Sequence, residues 1–269
     1  MSTRVLTAGR WARRPTTGAR GSLTGLGWRT ELLLFLVAYG IYTGARWLFA
    51  GDVAEAQDHA RWIYELEQTA HVAVEGSVQR ALDSPVASWL FSNIYLAAQL
   101  VVVPGALIWL YRRSPSLYRG LRNTFLATWL IAVPVYALFP VAPPRLAQLG
   151  MVDTVSQQAG VGLTGRSTVF YNPLAAVPSL HVGFALALGI GVALALRSRW
   201  TKVLALLWGP LVALAVVATG NHYVFDIVAG VAVTALGFAA SRLPARLASS
   251  DALGSSECAA TEGKPRRAR

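Results

Sequence analysis

Charge is scarce in this chain. Only 14% of its 269 residues are Asp, Glu, Lys or Arg, against about a quarter in soluble domains. The acidic kind is the rarer, 13 residues against 24 Lys and Arg. One cysteine, Cys258 in a polar stretch near the C-terminus, excludes an intrachain disulfide and a thiolate metal site. No cofactor is implied. Histidine is limited to four positions, His59, His71, His181 and His222. What fills the chain instead is hydrophobic residues, 54% of the total, with a mean hydropathy of +0.46. That balance points to an integral membrane protein built of helices.

Six apolar stretches approach the roughly 17–25 residues that a helix needs to cross a bilayer. They fall near 32–50, 86–111, 123–139, 178–196, 203–219 and 223–240. The first is too long for the core of a cleaved signal peptide, so it is expected to remain as a span. The fold expected is an all-α integral membrane protein, a bundle of six transmembrane helices with a further helix lying in the interface outside the membrane.

The formal net charge is +11. Most basic residues lie in alternate connections: the N-terminal tail, Arg112–Arg122, Arg197–Lys202 and the C-terminal tail. With six spans these regions share one side, which the positive-inside rule assigns to the cytoplasm. The charge excess is thus a topology signal, and nucleic acid is not expected as a partner. Residues 1–30 and 244–269 read as disordered basic tails, and 31–243 as the membrane domain. Loops 51–85 and 141–177 and the Gly220–His222 turn fall on the opposite, extracytoplasmic side.

Within the first outer loop, residues 54–84 read as one amphipathic helix, with Trp62, Leu66, Ala70, Val74 and Val78 on the apolar face. It would lie along the interface as a lid or flank. Glu67, His71 and Glu75 follow at i, i+4 and i+8. They read as a solvated face rather than a metal-ligand row, because no second His or Cys cluster completes a site. Residues 160–165 resemble a glycine-rich phosphate loop only in composition, since no strand precedes them.

Two histidines sit where long apolar runs begin. His181 lies in Val177-Pro178-Ser179-Leu180-His181, and His222 in Gly220-Asn221-His222-Tyr223-Val224-Phe225-Asp226. Ionisable residues at such positions are costly and point to function. Asp226, four residues after His222, can fix one ring nitrogen and leave the other free as a nucleophile. The alternative is a buried pair that only locks helices. Pro178 is suited to a first helical turn, whose outward N–H groups make an anion site. Ser179 can add a donor, Leu180 its backbone N–H, and His181 a proton for a leaving oxygen. Arg145, in Pro143-Pro144-Arg145, offers a planar fork for phosphate oxygens. Arg166 and Asn221 are further phosphate-binding candidates.

These residues resemble the type 2 phosphatidic acid phosphatase superfamily, the lipid phosphate phosphatases. Its second motif, Pro-Ser-x-His, matches Pro178, Ser179 and His181. The His-x-x-x-Asp of its third matches His222 and Asp226. The resemblance implies a phosphohistidine on His222, orientation by Asp226 and leaving-group protonation by His181, with a membrane lipid as substrate and water or an alcohol as acceptor. Two family cations are absent, since the corresponding positions hold Leu138 and Val216. Pro-Pro-Arg, Pro-Ser-Leu-His and Asn-His-Tyr-x-x-Asp look more like the branch of inositol phosphorylceramide synthases, which transfer phosphoinositol. The expected activity is therefore a lipid phosphatase or phosphotransferase. A non-catalytic lipid-binding or partner-organising relative with a decayed site is the alternative, and the oligomeric state is open.

Overall fold

The computed structural model describes residues 27–48, 52–159 and 174–242. Both tails up to residue 26 and from 243, Cys258, Arg166 and the glycine-containing stretch 160–165 lie outside the described residues. Among those described, regular structure is helical apart from one parallel bridge between Val141 and Ala175.

Ten helices follow in order: α1 Trp28–Leu48, α2 Val53–Thr69, α3 Glu75–Ala81, α4 Pro85–Ala97, α5 Val103–Arg113, α6 Pro115–Leu138, α7 Thr154–Ala159, α8 Leu180–Ala195, α9 Arg199–Ala218 and α10 Val224–Ala240. A π-helical turn, Ala98–Val102, joins α4 to α5 without a break. It precedes Pro104, whose missing N–H disturbs the regular ladder at this point. The six apolar stretches coincide with α1, α4–α5, α6, α8, α9 and α10. Three helical runs, Pro85–Arg113, Pro115–Leu138 and Arg199–Ala218, are long and apolar enough to cross a membrane. The helices α8 and α10 are apolar but shorter. Leu32, Leu36, Trp89, Leu204 and Leu207 face outward on this bundle, an exposed apolar surface of the kind that contacts lipid.

Three sequence expectations change. Residues 28–30 belong to α1 rather than to a tail. The connection after α5 is short, so Arg119 and Arg122 lie inside α6. There Arg122 forms a buried ion pair with Glu31 of α1, and Tyr118 donates to the same carboxylate at 2.9 Å. Residues 54–84 form two helices, not one. The chain breaks at His71, which is exposed with φ 59°. Trp62, Leu66 and Val74 are exposed, and the buried row of α2 is Ala56, Ala60, Ile63 and Glu67. The solvated acidic face therefore does not exist. Glu67 and Glu75 are both buried, pointing at the start of α10.

The packing centres on α8 and α10. The helix α8 runs against α9, and α10 against α6 and α8. One core layer joins Leu107, Leu110, Phe125, Phe184 and Leu188, with the Phe125 and Phe184 rings stacked 4.1 Å apart. A second joins Tyr95, Val182, Val212 and Val216. A third lies outside the bundle, where Ala56, Ala60 and Ile63 of α2 cover Val141, Ala142, Ala176, Val177 and Tyr223. Small side chains on α2 let its backbone approach closely enough for Ala142 N–H to donate to Ala56 O at 3.0 Å. The outer helices thus close over the loops that carry the motif residues.

Candidate active site

The turn between α9 and α10 is built by backbone. Asn221 and His222 N–H both donate to Val216 O, at 3.0 and 3.2 Å. Gly220 has φ +67°, a left-handed conformation for which glycine carries no steric cost. Tyr223 then caps α10, and Asp226 at the third helical position accepts its N–H at 2.9 Å. The same carboxylate oxygen lies 3.0 Å from His222 Nδ1. The His–Asp pair arises through this cap, with His222 outside the helix, and not from two residues on one helical face. An accepting carboxylate puts the proton on Nδ1 and leaves Nε2 with its lone pair. Burial pushes the His222 imidazole down to about 3; the Ala176 carbonyl opposes this and the Arg145 charge adds to it. At neutral pH the ring is uncharged, as a nucleophile requires.

Ser179 caps α8, so Pro178 precedes the cap instead of entering the first helical turn. Tyr136 O–H donates to Pro178 O at 2.6 Å, and Ser179 N–H to Asp226 O at 3.0 Å. These bonds fix the beginnings of α8 and α10 side by side. The Ser179 hydroxyl is buried and meets no partner among the described residues, which suits it to a substrate oxygen. Leu180 and His181 open the helix, where backbone N–H groups have no partner within it. The Leu180 side chain packs into the core, leaving only its N–H for an anion. The ring of His181 stacks on Tyr95 at 4.4 Å and stands 5.9 Å from the ring of His222. The two motif histidines therefore share one site.

Arg145 arrives from the loop after α6. Its backbone N–H donates to Gly220 O at 3.0 Å, its Nε to Asn221 Oδ1 at 2.9 Å, and its Nη1 lies 3.4 Å from Asp153 Oδ2. The guanidinium is buried. Asn221 gives its amide N–H groups to Thr219, at 3.2 Å to the carbonyl and 2.9 Å to the hydroxyl. Its side chain thus bridges Arg145 and Thr219. Of the two positions where family cations are absent, Leu138 is exposed at the end of α6 and Val216 is fully buried in the core.

Sequence reasoning missed four contributors. Tyr95 supports His181. Gln79 of α3 clamps Val152 through both backbone groups at 2.9 Å and reaches Ala218 O at 3.3 Å. Glu75 and Glu67 accept the N–H groups of Val224, at 2.9 Å, and Phe225, at 2.6 Å. The available signal was that Glu67 continues the row Ala56, Ala60, Ile63. No group of His, Cys, Asp or Glu among the described residues has a metal-binding arrangement.

The crystal structure of LpxE from Aquifex aeolicus is similar at 14% identity over 62% of this chain and 92% of that one, with a TM-score of 0.47, a likeness too distant to assign residue roles. No curated protein matches significantly. A family model described as PAP2 superfamily matches residues 61–240, a segment that starts within α2 and ends with α10. It takes in both histidine motifs, Arg145 and the two buried glutamates, and the chain belongs to the PAP2 superfamily.

Proposed function

We propose that the chain is a membrane enzyme that moves a phosphoryl or phosphodiester group from a lipid donor to water or an alcohol, through a phosphohistidine on His222. The observation that carries this reading is the approach of His181 and His222 to 5.9 Å, with Asp226 on one side and Arg145 on the other. In the first step His222 Nε2 attacks phosphorus. The N–P bond forms as the bond to the leaving oxygen breaks, and His181, whose protonated form the bound anionic phosphate favours, gives that oxygen its proton. Asp226 stabilises the positive charge on the His222 ring. Arg145, the Ser179 hydroxyl and the N-terminus of α8 hold the phosphoryl oxygens. In the second step the now neutral His181 takes the proton of water or an alcohol, whose oxygen attacks phosphorus and releases His222. Phosphoryl transfer of this kind depends mainly on positioning and charge.

The transferase form of this reaction has a supporting observation. The position of one family cation is Val216, packed at 0% exposure in the core, so one cation fewer surrounds the phosphoryl group. A phosphodiester carries less charge than a monoester and needs fewer cations. This favours a phosphodiester donor, with phosphoinositol as a candidate for the transferred group.

Six spans with both termini in the cytoplasm suit this site. The helix α8 has His181 in its first turn and is followed by Arg197, Arg199 and Lys202. Its 16 residues rise about 24 Å at 1.5 Å per residue, separating the basic connection from the histidines by most of a bilayer. The basic end is then cytoplasmic and the site extracytoplasmic.

Product analysis with radiolabelled lipid donors in reconstituted vesicles tests the reading. Free phosphate identifies a hydrolase and a new phosphodiester lipid a transferase. His222→Ala should abolish both, together with acid-labile labelling of the protein. Turnover that survives in His222→Ala would falsify the mechanism.

A further inference from the structure

The first three N–H groups of the α10 entry, on Tyr223, Val224 and Phe225, each go to a different carboxylate: Asp226, Glu75 and Glu67. A helix start is usually satisfied by one capping side chain and water. Here two of the three acceptors come from outside the bundle, across sequence separations of 149 and 158 residues. Both glutamates are buried, at 0% and 2% exposure, and the remaining oxygen of each has no donor among the described residues. Two buried acids with no cationic partner among the described residues are expensive, so their placement calls for a role.

We propose that Glu67 and Glu75 are positioning residues of the active site, holding the first turn of α10, and with it His222 and Asp226, from the outer helices. Their hydrogen bonds lie on the two N–H groups that follow the His222–Tyr223 step. Losing either leaves a partly buried donor without its acceptor within one helical turn of the dyad. The outer helices α2 and α3 are then structural members of the catalytic centre. Gln79, one turn after Glu75, extends the same support to the loop of Arg145 through Val152 and to Ala218.

A second consequence concerns protons. Burial pushes the Glu67 carboxyl up to about 8; the Phe225 N–H works against this, while Glu75 and Asp226 push the same way. The groups that face this cluster are Glu75 from α3, Tyr223 and Asp226 at the start of α10, and Tyr64 on α2 itself. At neutral pH Glu67 therefore keeps its proton and can give it to Glu75, supplying the hydrogen bond that the two outer oxygens otherwise lack. Above about pH 8 the proton leaves, and two adjacent negative charges loosen the support.

The proposal rests on the reading of His222 as the nucleophile, but its test does not need turnover. In the full-length protein in nanodiscs, labelled with 15N-histidine, the His222 signals are assigned by their loss in His222→Gln. Wild type should show the Nδ1-protonated tautomer, with a change as pH rises through about 8. Glu67→Ala and Glu75→Ala should each show a mixture of tautomers at neutral pH. Glu67→Gln keeps the side-chain volume and an accepting oxygen, so it should restore the tautomer and abolish the change near pH 8. A wild-type signature in either alanine variant overturns the proposal, as does a change near pH 8 that persists in Glu67→Gln. If an alanine variant fails to fold, the glutamine variant alone decides. Failure of the catalytic reading is recognised separately, by turnover in His222→Ala.

Discussion

Arg145 Nε donates to Asn221 Oδ1 at 2.9 Å, joining two loops 76 residues apart in sequence. With the backbone bond from Arg145 N–H to Gly220 O, it fixes the guanidinium against the turn that carries His222. A planar cation held through Nε is aimed, where a flexible lysine is only a point charge. The expectation is that Asn221 acts through Arg145 and not on the substrate directly.

This yields a double-mutant prediction. Asn221→Ala should lower kcat/KM by about 10–100-fold, roughly the 1.4–2.8 kcal/mol expected for losing one charge-assisted hydrogen bond. Arg145→Ala should cost more. The double variant should be no worse than Arg145→Ala, because the two residues act as one unit. Additive losses would show that Asn221 acts on the substrate independently.

His222 leads to a prediction about acid. Its imidazole is held near 3 by burial, with Arg145 contributing and the Ala176 carbonyl opposing, against about 6.5 when unfolded. Below pH 6.5 the unfolded chain takes up a proton that the folded site refuses, so stability present above 6.5 is lost as pH falls toward 3. Thermal unfolding of wild type should therefore weaken between pH 7 and 4 more steeply than that of His222→Gln. Parallel slopes would mean that the folded ring accepts its proton normally.

How much of this could be read from residues alone follows from how local each signal is. The starts of α8 and α10 and the His222–Asp226 spacing are contained in short stretches, and apolar run length is enough to place them. Arg145 stands out as a cation in a proline-rich loop, where a phosphate ligand and a lipid-headgroup contact are the two uses to weigh. The outer helices were not legible. The helix α2 carries two competing rows, Trp62–Leu66 and Ala56–Ala60–Ile63–Glu67, and hydrophobicity alone selects the larger residues. The structure buries the smaller row because it allows backbone contact with Ala142, and leaves Trp62 outward. The break at His71 likewise depends on a left-handed residue that helical periodicity does not reveal. Arg122 looks like a loop charge until Glu31 is seen beside it, 91 residues away.

That buried pair sets a stability prediction remote from the chemistry. Glu31 accepts from both Arg122 and Tyr118. Glu31→Gln leaves Arg122 buried with no full counter-charge, which should cost about 3–5 kcal/mol. Replacing both with apolar residues, Glu31→Leu with Arg122→Met, should recover most of it. The comparison is made by thermal unfolding in detergent. An unchanged midpoint in Glu31→Gln would show that the pair is worth little.

The closest constraint on the site is a contact with no functional group in it. The helix α10 passes α8 at Gly230, where an added Cβ would collide with the Ser179 carbonyl. Backbone cannot move aside as the end of a flexible side chain can, so the helices must separate. The first thing they would separate is the bond from Ser179 N–H to Asp226 O, which sets His181 relative to His222. Gly230→Ala should therefore remove most turnover at a stability cost of only about 1–3 kcal/mol, the range for an overpacked contact. Affinity for the donor should fall as well, because the collision displaces Ser179 and the start of α8, which hold phosphoryl oxygens in the proposed mechanism. Turnover in a folded Gly230→Ala within about twofold of wild type, well under the 1.4 kcal/mol of a tenfold change, would mean that the distance between the two histidines is not what limits the reaction.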